Sequence, residues 1–211
     1  MNSVKILSMA DSPLNPSGPY HHGNLRSTLV EQGLVLLESS QQGELSLREL
    51  ARRVGVSANA AYRHFANKEA LLAALAAEGF RRLNAAQVGA SLATPDLLKG
   101  FRESGRAYVR FAQDNPALFR LMFGRLTSGN PTEELSEASQ ASFQTLQTAV
   151  STLTGAPLES QQTTVVAMVA WSLVHGLSHL ILDGQLDHHG DKADELIDQI
   201  ISTVQPPPPL T

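Results

Sequence analysis

Between residues 57 and 68 the chain reads SANAAYRHFANK, and its polar side chains are of the kinds that grip a polyanion. Asn59 and Arg63 carry the amide and guanidinium that hydrogen-bond base edges, and Tyr62 and His64 suit phosphate oxygens or a thymine methyl. A second set lies in WSLVHGLSHLILD, residues 171–183, where Trp171, His175, His179 and Asp183 follow one another at intervals of four. Residues four apart share a helix face, so two imidazoles and a carboxylate could meet one metal ion. A zinc site needs at least three protein ligands, and the glutamate that zinc proteases hold between such histidines is absent. The plainer expectation is no metal, with Trp171 in a core and the histidines bonded to buried polar partners. His21 and His22 are adjacent, with no carboxylate nearby, and are read as part of an arm rather than as ligands.

The first set needs helices to aim it. Asn24 can cap a helix with Leu25, Leu29, Gly33, Leu36 and Leu37 along one face, and QQGE at residues 41–44 ends it. Ser46 starts a second helix, and Ser46 with Glu49 has the capping-box spacing. Leu47, Leu50, Ala51 and Val54 give it an apolar stripe, and Gly55 stands where a left-handed cap is wanted. Ser57 caps a third helix that ends at Phe65. Two short helices around a glycine turn form a helix-turn-helix, whose second helix enters the DNA major groove. Ala61 and Phe65 face inward. Ala58, Asn59, Ala60, Tyr62, Arg63 and His64 face outward, and the alanines permit close approach to a groove. Asn67 caps a fourth helix to about residue 90. Lys68 in its first turn opposes the helix dipole by about 0.3 kcal/mol, a preference that a bound phosphate reverses. Ser46, at another helix start, is a second candidate phosphate ligand. Spacing alone leaves a DNA reader and an ordinary surface helix both open.

No strand-type alternation persists, so the chain reads as all-α. Further helices are expected near residues 95–113, 116–123, 131–154, 160–183 and 191–204. The expected divisions are a flexible arm at 1–19, a DNA-binding module at 20–66, a helical ligand-binding and dimerisation domain at 67–204, and a proline-rich tail at 205–211. The formal charge is -4. Residues 1–84 carry nine Lys/Arg against seven Asp/Glu, and residues 85–211 seven against thirteen. The acidity therefore lies outside the helix-turn-helix. The chain has no cysteine, which excludes disulfides, thiolate metal sites and a cysteine nucleophile and suits a cytoplasmic protein. Residues 164–182 approach the length of a membrane span, but enclose His175, Ser178 and His179 without a basic flank; a bundle helix is expected there. No nucleophile elbow, phosphate loop or apolar acid pair appears, so neither an enzyme nor a cofactor is expected.

LSLRELARRVGVSANAAYRHFANKEALLAAL, residues 45–75, resembles the DNA-binding domain of TetR-family transcriptional regulators. YHHGNLRSTLVEQGLVLLE at residues 20–38 looks like one branch of that family. Trp-x-x-x-His-Gly at residues 171–176, with NPALFRLMFG upstream, is similar to that branch's C-terminal domain, sometimes called WHG. One departure is Ala61, where the branch often has proline. The resemblance implies contacts to a double-stranded DNA operator from Ser46, Arg48, Ser57, Asn59, Tyr62, His64 and Lys68. Ala58 and Ala60 leave few base-reading side chains, so DNA shape is expected to carry part of the specificity. It also implies a homodimer joined through the last two long helices, with Gly176 admitting a close backbone, and an apolar pocket for a small apolar effector. Phe101, Tyr108, Phe119, Met122, Phe143, Trp171 and His175 are the candidates to line that pocket, about half of them facing it, with His175 as the orienting polar group. A ligand-responsive repressor is the function expected. The rivals are an enzyme with a metal centre at His175, His179 and Asp183, and a metal- or small-molecule-binding helical protein that keeps the fold without operator binding.

Overall fold

Short capped helices make the first module. The computed structural model describes residues 25–39, 45–124 and 131–204, and among these the regular elements are all helical. The arm at 1–19, the Asn24 cap, His21, His22, the QQGE break and the tail at 205–211 lie outside the described residues. Helix α1 spans Leu25–Ser39 and buries Leu29, Val30, Leu34 and Leu37. Helix α2 spans Leu47–Val54 and buries Leu47, Leu50 and Ala51. Ser46 has the extended backbone of an N-cap, but its side chain makes no cap hydrogen bond. The capping box expected of Ser46 and Glu49 is not closed; both residues are exposed, so the same groups are open to solvent. Gly55 takes φ 77°, and the Val56 N–H reaches back to the Ala51 carbonyl at 2.9 Å. That left-handed closure needs a residue without a Cβ and sets the angle between the two helices.

Helix α3 spans Ala58–Tyr62, with the Ser57 side chain accepting from the Ala60 N–H. It ends three residues before the expected Phe65. The chain goes on as a turn, in which His64 and Phe65 N–H groups both donate to the Ala61 carbonyl, at 3.0 and 3.1 Å. Ala61 and Phe65 are buried, as their spacing predicts. Helix α4 spans Lys68–Leu92, and the Asn67 side chain accepts from the Ala70 N–H. Its 25 residues rise about 37 Å at ~1.5 Å each. Leu71, Leu72 and Leu75 join the core of α1 and α2, and Phe80 and Leu83 serve the helices beyond. Helix α4 begins two residues after the expected division at residue 66, and its first turns share the core of α1 and α2.

Helix α5 spans Leu97–Asp114, α6 Pro116–Met122, α7 Glu133–Thr154, α8 Gln161–Leu182 and α9 Ala193–Ser202, the last preceded by a 3₁₀ segment at Asp187–Lys192. Proline opens α6 at a position where its missing N–H costs nothing. Gly79 lets α6 lie against α4: a Cβ there would stand 2.6 Å from Met122 Sδ and 3.0 Å from Leu118 Cδ1. Helix α8 has the length and hydropathy of a membrane span. It is a bundle helix packed against α5, α7 and α9, burying Ala167, Ala170, Val174 and Leu177. Its other face is open, with Val165, Met168, Val169 and Leu180 exposed and nothing within 4 Å of a Cβ built on Gly176.

Candidate nucleic-acid interface and ligand cavity

The reading surface is assembled by caps and two buried anchors. With Ala61 and Phe65 turned into the core, the rest of α3 is turned out. Ser46, Arg48, Ser57, Asn59, Tyr62, His64 and Lys68 are all exposed, as is Arg63. They come from the start of α2, the body of α3, the turn after it and the first residue of α4. Ser46 Oγ is not spent on its own helix, whereas Ser57 Oγ is, at 3.2 Å from the Ala60 nitrogen. Arg48, Arg63 and Lys68 form no ion pair with a described residue. Arg81, Arg82, Arg106 and Arg120 are each tied to carboxylates. These cations are therefore unpaired with any described carboxylate, and the exposed Glu49 and Glu69 beside them offset only part of the positive charge.

Two carboxylates bind this module to the rest of the bundle. Glu38 at the end of α1 accepts from the Leu118 and Ala117 N–H groups that open α6, at 2.8 and 3.2 Å. Glu134 on α7 accepts from Arg81 on α4 at 2.6 Å and from Arg26 on α1. The Arg26 guanidinium also stands 5.3 Å from the centre of the Phe65 ring. Burial raises the acid's proton affinity, but the bonds from Arg81 and Arg26 outweigh it and hold the carboxyl of Glu134 below its ordinary range.

A cavity of about 580 Å³ opens between α4, α5, α7, α8 and α9. That volume is in the range that holds a drug-sized molecule. Of the residues expected to line it, Phe101, Tyr108, Phe143 and Trp171 do so. Phe119, Met122 and His175 are not in its wall. Phe119 and Met122 are buried, with Met122 filling the notch at Gly79. His175 stands behind Tyr108. The Trp171 indole N–H donates to the Tyr108 oxygen at 3.2 Å, and with His175 neutral and its proton on Nε2 the Tyr108 hydroxyl donates to His175 Nδ1, 2.8 Å away. A neutral His175 suits that role, and burial, then the neighbouring His179, lower its pKa below 6.5. Burial pushes the Tyr108 phenol up, keeping it a donor. Sequence reasoning missed Phe80, Leu83, Gln87, Arg102 and Phe123 in the wall, since each reads equally well as core or surface until the helices are stacked.

His175 and Asp183 are held by other work, while His179 packs its ring on Phe119 and His175. His175 uses Nδ1 on Tyr108, and Asp183 pairs with Arg120 at 3.2 Å. Among the described residues no group of three His, Asp or Glu is placed to hold a metal ion.

The arrangement is a helix-turn-helix with a bare, uncharged second helix flanked by Arg48, Arg63 and Lys68, joined by one long helix to a bundle with a cavity. Comparison with known proteins agrees. Residues 41–75 match the family model of bacterial regulatory proteins, tetR family, and residues 101–204 match the tetracyclin repressor-like C-terminal domain. Among solved structures, a protein of unknown function from Rhodococcus sp. RHA1 is 34% identical over 89% of this chain and 96% of its own, with TM-score 0.75. A TetR family transcription regulator from Marinobacter aquaeolei VT8 shares 18% identity over 84% of this chain and 91% of its own, with TM-score 0.59. A variant TetR from Acinetobacter baumannii AYE, in complex with minocycline, shares 21% identity over 83% of this chain and 93% of its own, with TM-score 0.55. No curated protein matches significantly. With both its helix-turn-helix module and its C-terminal helical bundle matched to that family, this chain belongs to the TetR family of transcriptional regulators.

Proposed function

We propose that the protein is a homodimeric, effector-responsive repressor that binds a two-fold DNA operator in the cytoplasm. The observation that carries this reading is α4. Lys68, at its first residue, stands on the reading surface, and Phe80, Leu83 and Gln87, further along, line the cavity. A ligand that fills the cavity touches the helix that holds the recognition segment. Such a ligand lowers operator affinity only by binding better to the conformation with misplaced recognition helices. The Glu38 cap from α1 to α6 and the Glu134–Arg26 link beside Phe65 are two further routes between the halves.

On the reading surface, Ser46, Ser57, Tyr62, His64 and Lys68 hold the phosphate backbone, while Arg48 and Asn59 approach the bases. The dimer forms through the open face of α8, where Val165, Val169, Gly176 and Leu180 recur at helical spacing, with α9 beside it. An apolar stripe on a monomer surface marks such an interface. Two-fold pairing sets the two recognition helices about 34 Å apart, one turn of DNA. We divide the modules within α4 rather than at residue 66.

A mobility shift on the DNA flanking the protein's own gene tests this reading. Binding that is weakened by a cavity ligand is the expected result. Tight, ligand-responsive binding of a small molecule with no binding to any of that DNA would favour the fold-without-operator alternative.

A further inference from the structure

The cavity is unbalanced in charge. Among the described residues no aspartate or glutamate lines it, and Arg102 is the one with a formal charge. Arg102 donates to the Val204 carbonyl from Nε and Nη2 at 3.4 and 3.3 Å, and no described carboxylate pairs with it. The next arginine on the same helix behaves differently. Arg106, one turn on and outside the cavity wall, is matched by Glu103 at 3.1 Å and Asp198 at 2.5 Å and bonds Ser202 as well. Arg102 is half-buried in a wall of apolar and uncharged polar side chains, so a ligand anion would find there a cation with no competing carboxylate.

The other end of the cavity is aromatic. Phe80 and Phe123 ring centres are 5.3 Å apart, Phe123 and Trp171 6.2 Å, and Phe143 and Trp171 6.0 Å. Tyr108 belongs to this end, and its hydroxyl is engaged on both sides by Trp171 and His175. It lies six residues beyond Arg102 on α5, about 9 Å along the axis. Arg102 and Tyr108 are thus offset along the cavity by about 9 Å of helix.

We propose that the effector is an amphipathic carboxylate, its anionic head on Arg102 and its apolar or aromatic body against Phe80, Phe123, Phe143 and Trp171. This rests on the reading of the cavity as the effector site, and it names the ligand class that the site selects.

Trp171 is the sole tryptophan of the chain and lines the cavity, so intrinsic fluorescence reports occupancy directly. Dodecanoate, dodecan-1-ol and dodecyltrimethylammonium share a tail and differ in head charge. Titrated below their micellar range into the full-length protein, dodecanoate binds at least about tenfold tighter than the alcohol, and the ammonium binds most weakly. Arg102→Gln brings dodecanoate within about twofold of the alcohol and leaves the alcohol unchanged, while Arg102→Lys retains part of the preference. Equal binding of carboxylate and alcohol by the wild-type protein overturns the carboxylate assignment and leaves a ligand cavity standing. So does a preference that survives in a folded Arg102→Gln variant. No fluorescence response to any of the three overturns the cavity reading itself, and the inference with it.

Discussion

The carboxylate of Glu38 caps α6 by accepting from the Leu118 N–H at 2.8 Å and from the Ala117 N–H at 3.2 Å. It stands on the last turn of α1, so the reading module is hydrogen-bonded to a helix of the effector bundle. Helix caps are worth about 1 kcal/mol. Glu38→Ala is expected to cost about that much stability in urea unfolding. It should also reduce the effect of a cavity ligand on DNA affinity more than it reduces DNA affinity itself. Equal losses of both would mean that the cap is structural alone.

Lys68, Tyr62 and Asn59 are exposed, so their substitution should spare the fold and act on DNA. Lys68→Ala removes one phosphate contact and is expected to lower the slope of log affinity against log salt by about 1, uniformly across sequences. Asn59→Ala is expected to relax preference at one base pair by about 1–3 kcal/mol. Anisotropy titrations over a salt series on operator and scrambled DNA separate the two effects.

The open stripe of α8 predicts a dimer sensitive to charge and bulk. Val169→Glu is expected to give monomers in sedimentation velocity and to abolish operator binding while helix content is kept. Gly176→Leu meets nothing within its own chain at the Cβ, so it too should weaken association without unfolding the monomer. A stable dimer in both variants would move the interface elsewhere.

His175 and Glu134 make stability fall with acid in two separate windows. His175 is held below 6.5 in the folded chain by burial and by His179. The unfolded chain therefore takes the proton first as pH drops, and stability is lost from about pH 6.5 downward. Glu134 is also held below its ordinary value, 4.5. Its contribution is present above that value and is lost as pH falls through the folded one. His175→Gln should flatten the loss that begins as pH falls below about 6.5, and Glu134→Gln the loss below about 4.5. Urea midpoints at each pH measure both slopes.

Most of the helices were legible because their caps are local. Ser57, Asn67 and Gly55 each act on backbone within three residues, and the spacing of Ala61 and Phe65 fixes which side of α3 is bare. The end of α3 was misplaced because the turn through Arg63 and His64 keeps helical hydrogen bonds to Ala61 and Asn59. The cavity was half legible. Trp171, Tyr108, Phe143 and Phe101 are large apolar groups that read as core or wall, and four elements had to be stacked to distinguish them from Phe119 and Met122. Arg102 gave no signal at all, since what matters is the carboxylate it lacks. His175 was assigned to the wall when it supports the wall from behind, a distinction set by the hydroxyl of Tyr108, 67 residues away.

The central claim is that an acidic chain reads DNA through the α3 surface. It is tested most directly by the affinity of the purified protein for the DNA flanking its own gene, measured between about 50 and 200 mM salt. The account predicts a specific complex whose affinity falls steeply and log-linearly with salt and is lost in a Tyr62→Ala, Lys68→Ala double variant. An affinity that ignores salt, or that survives in that variant, would contradict it.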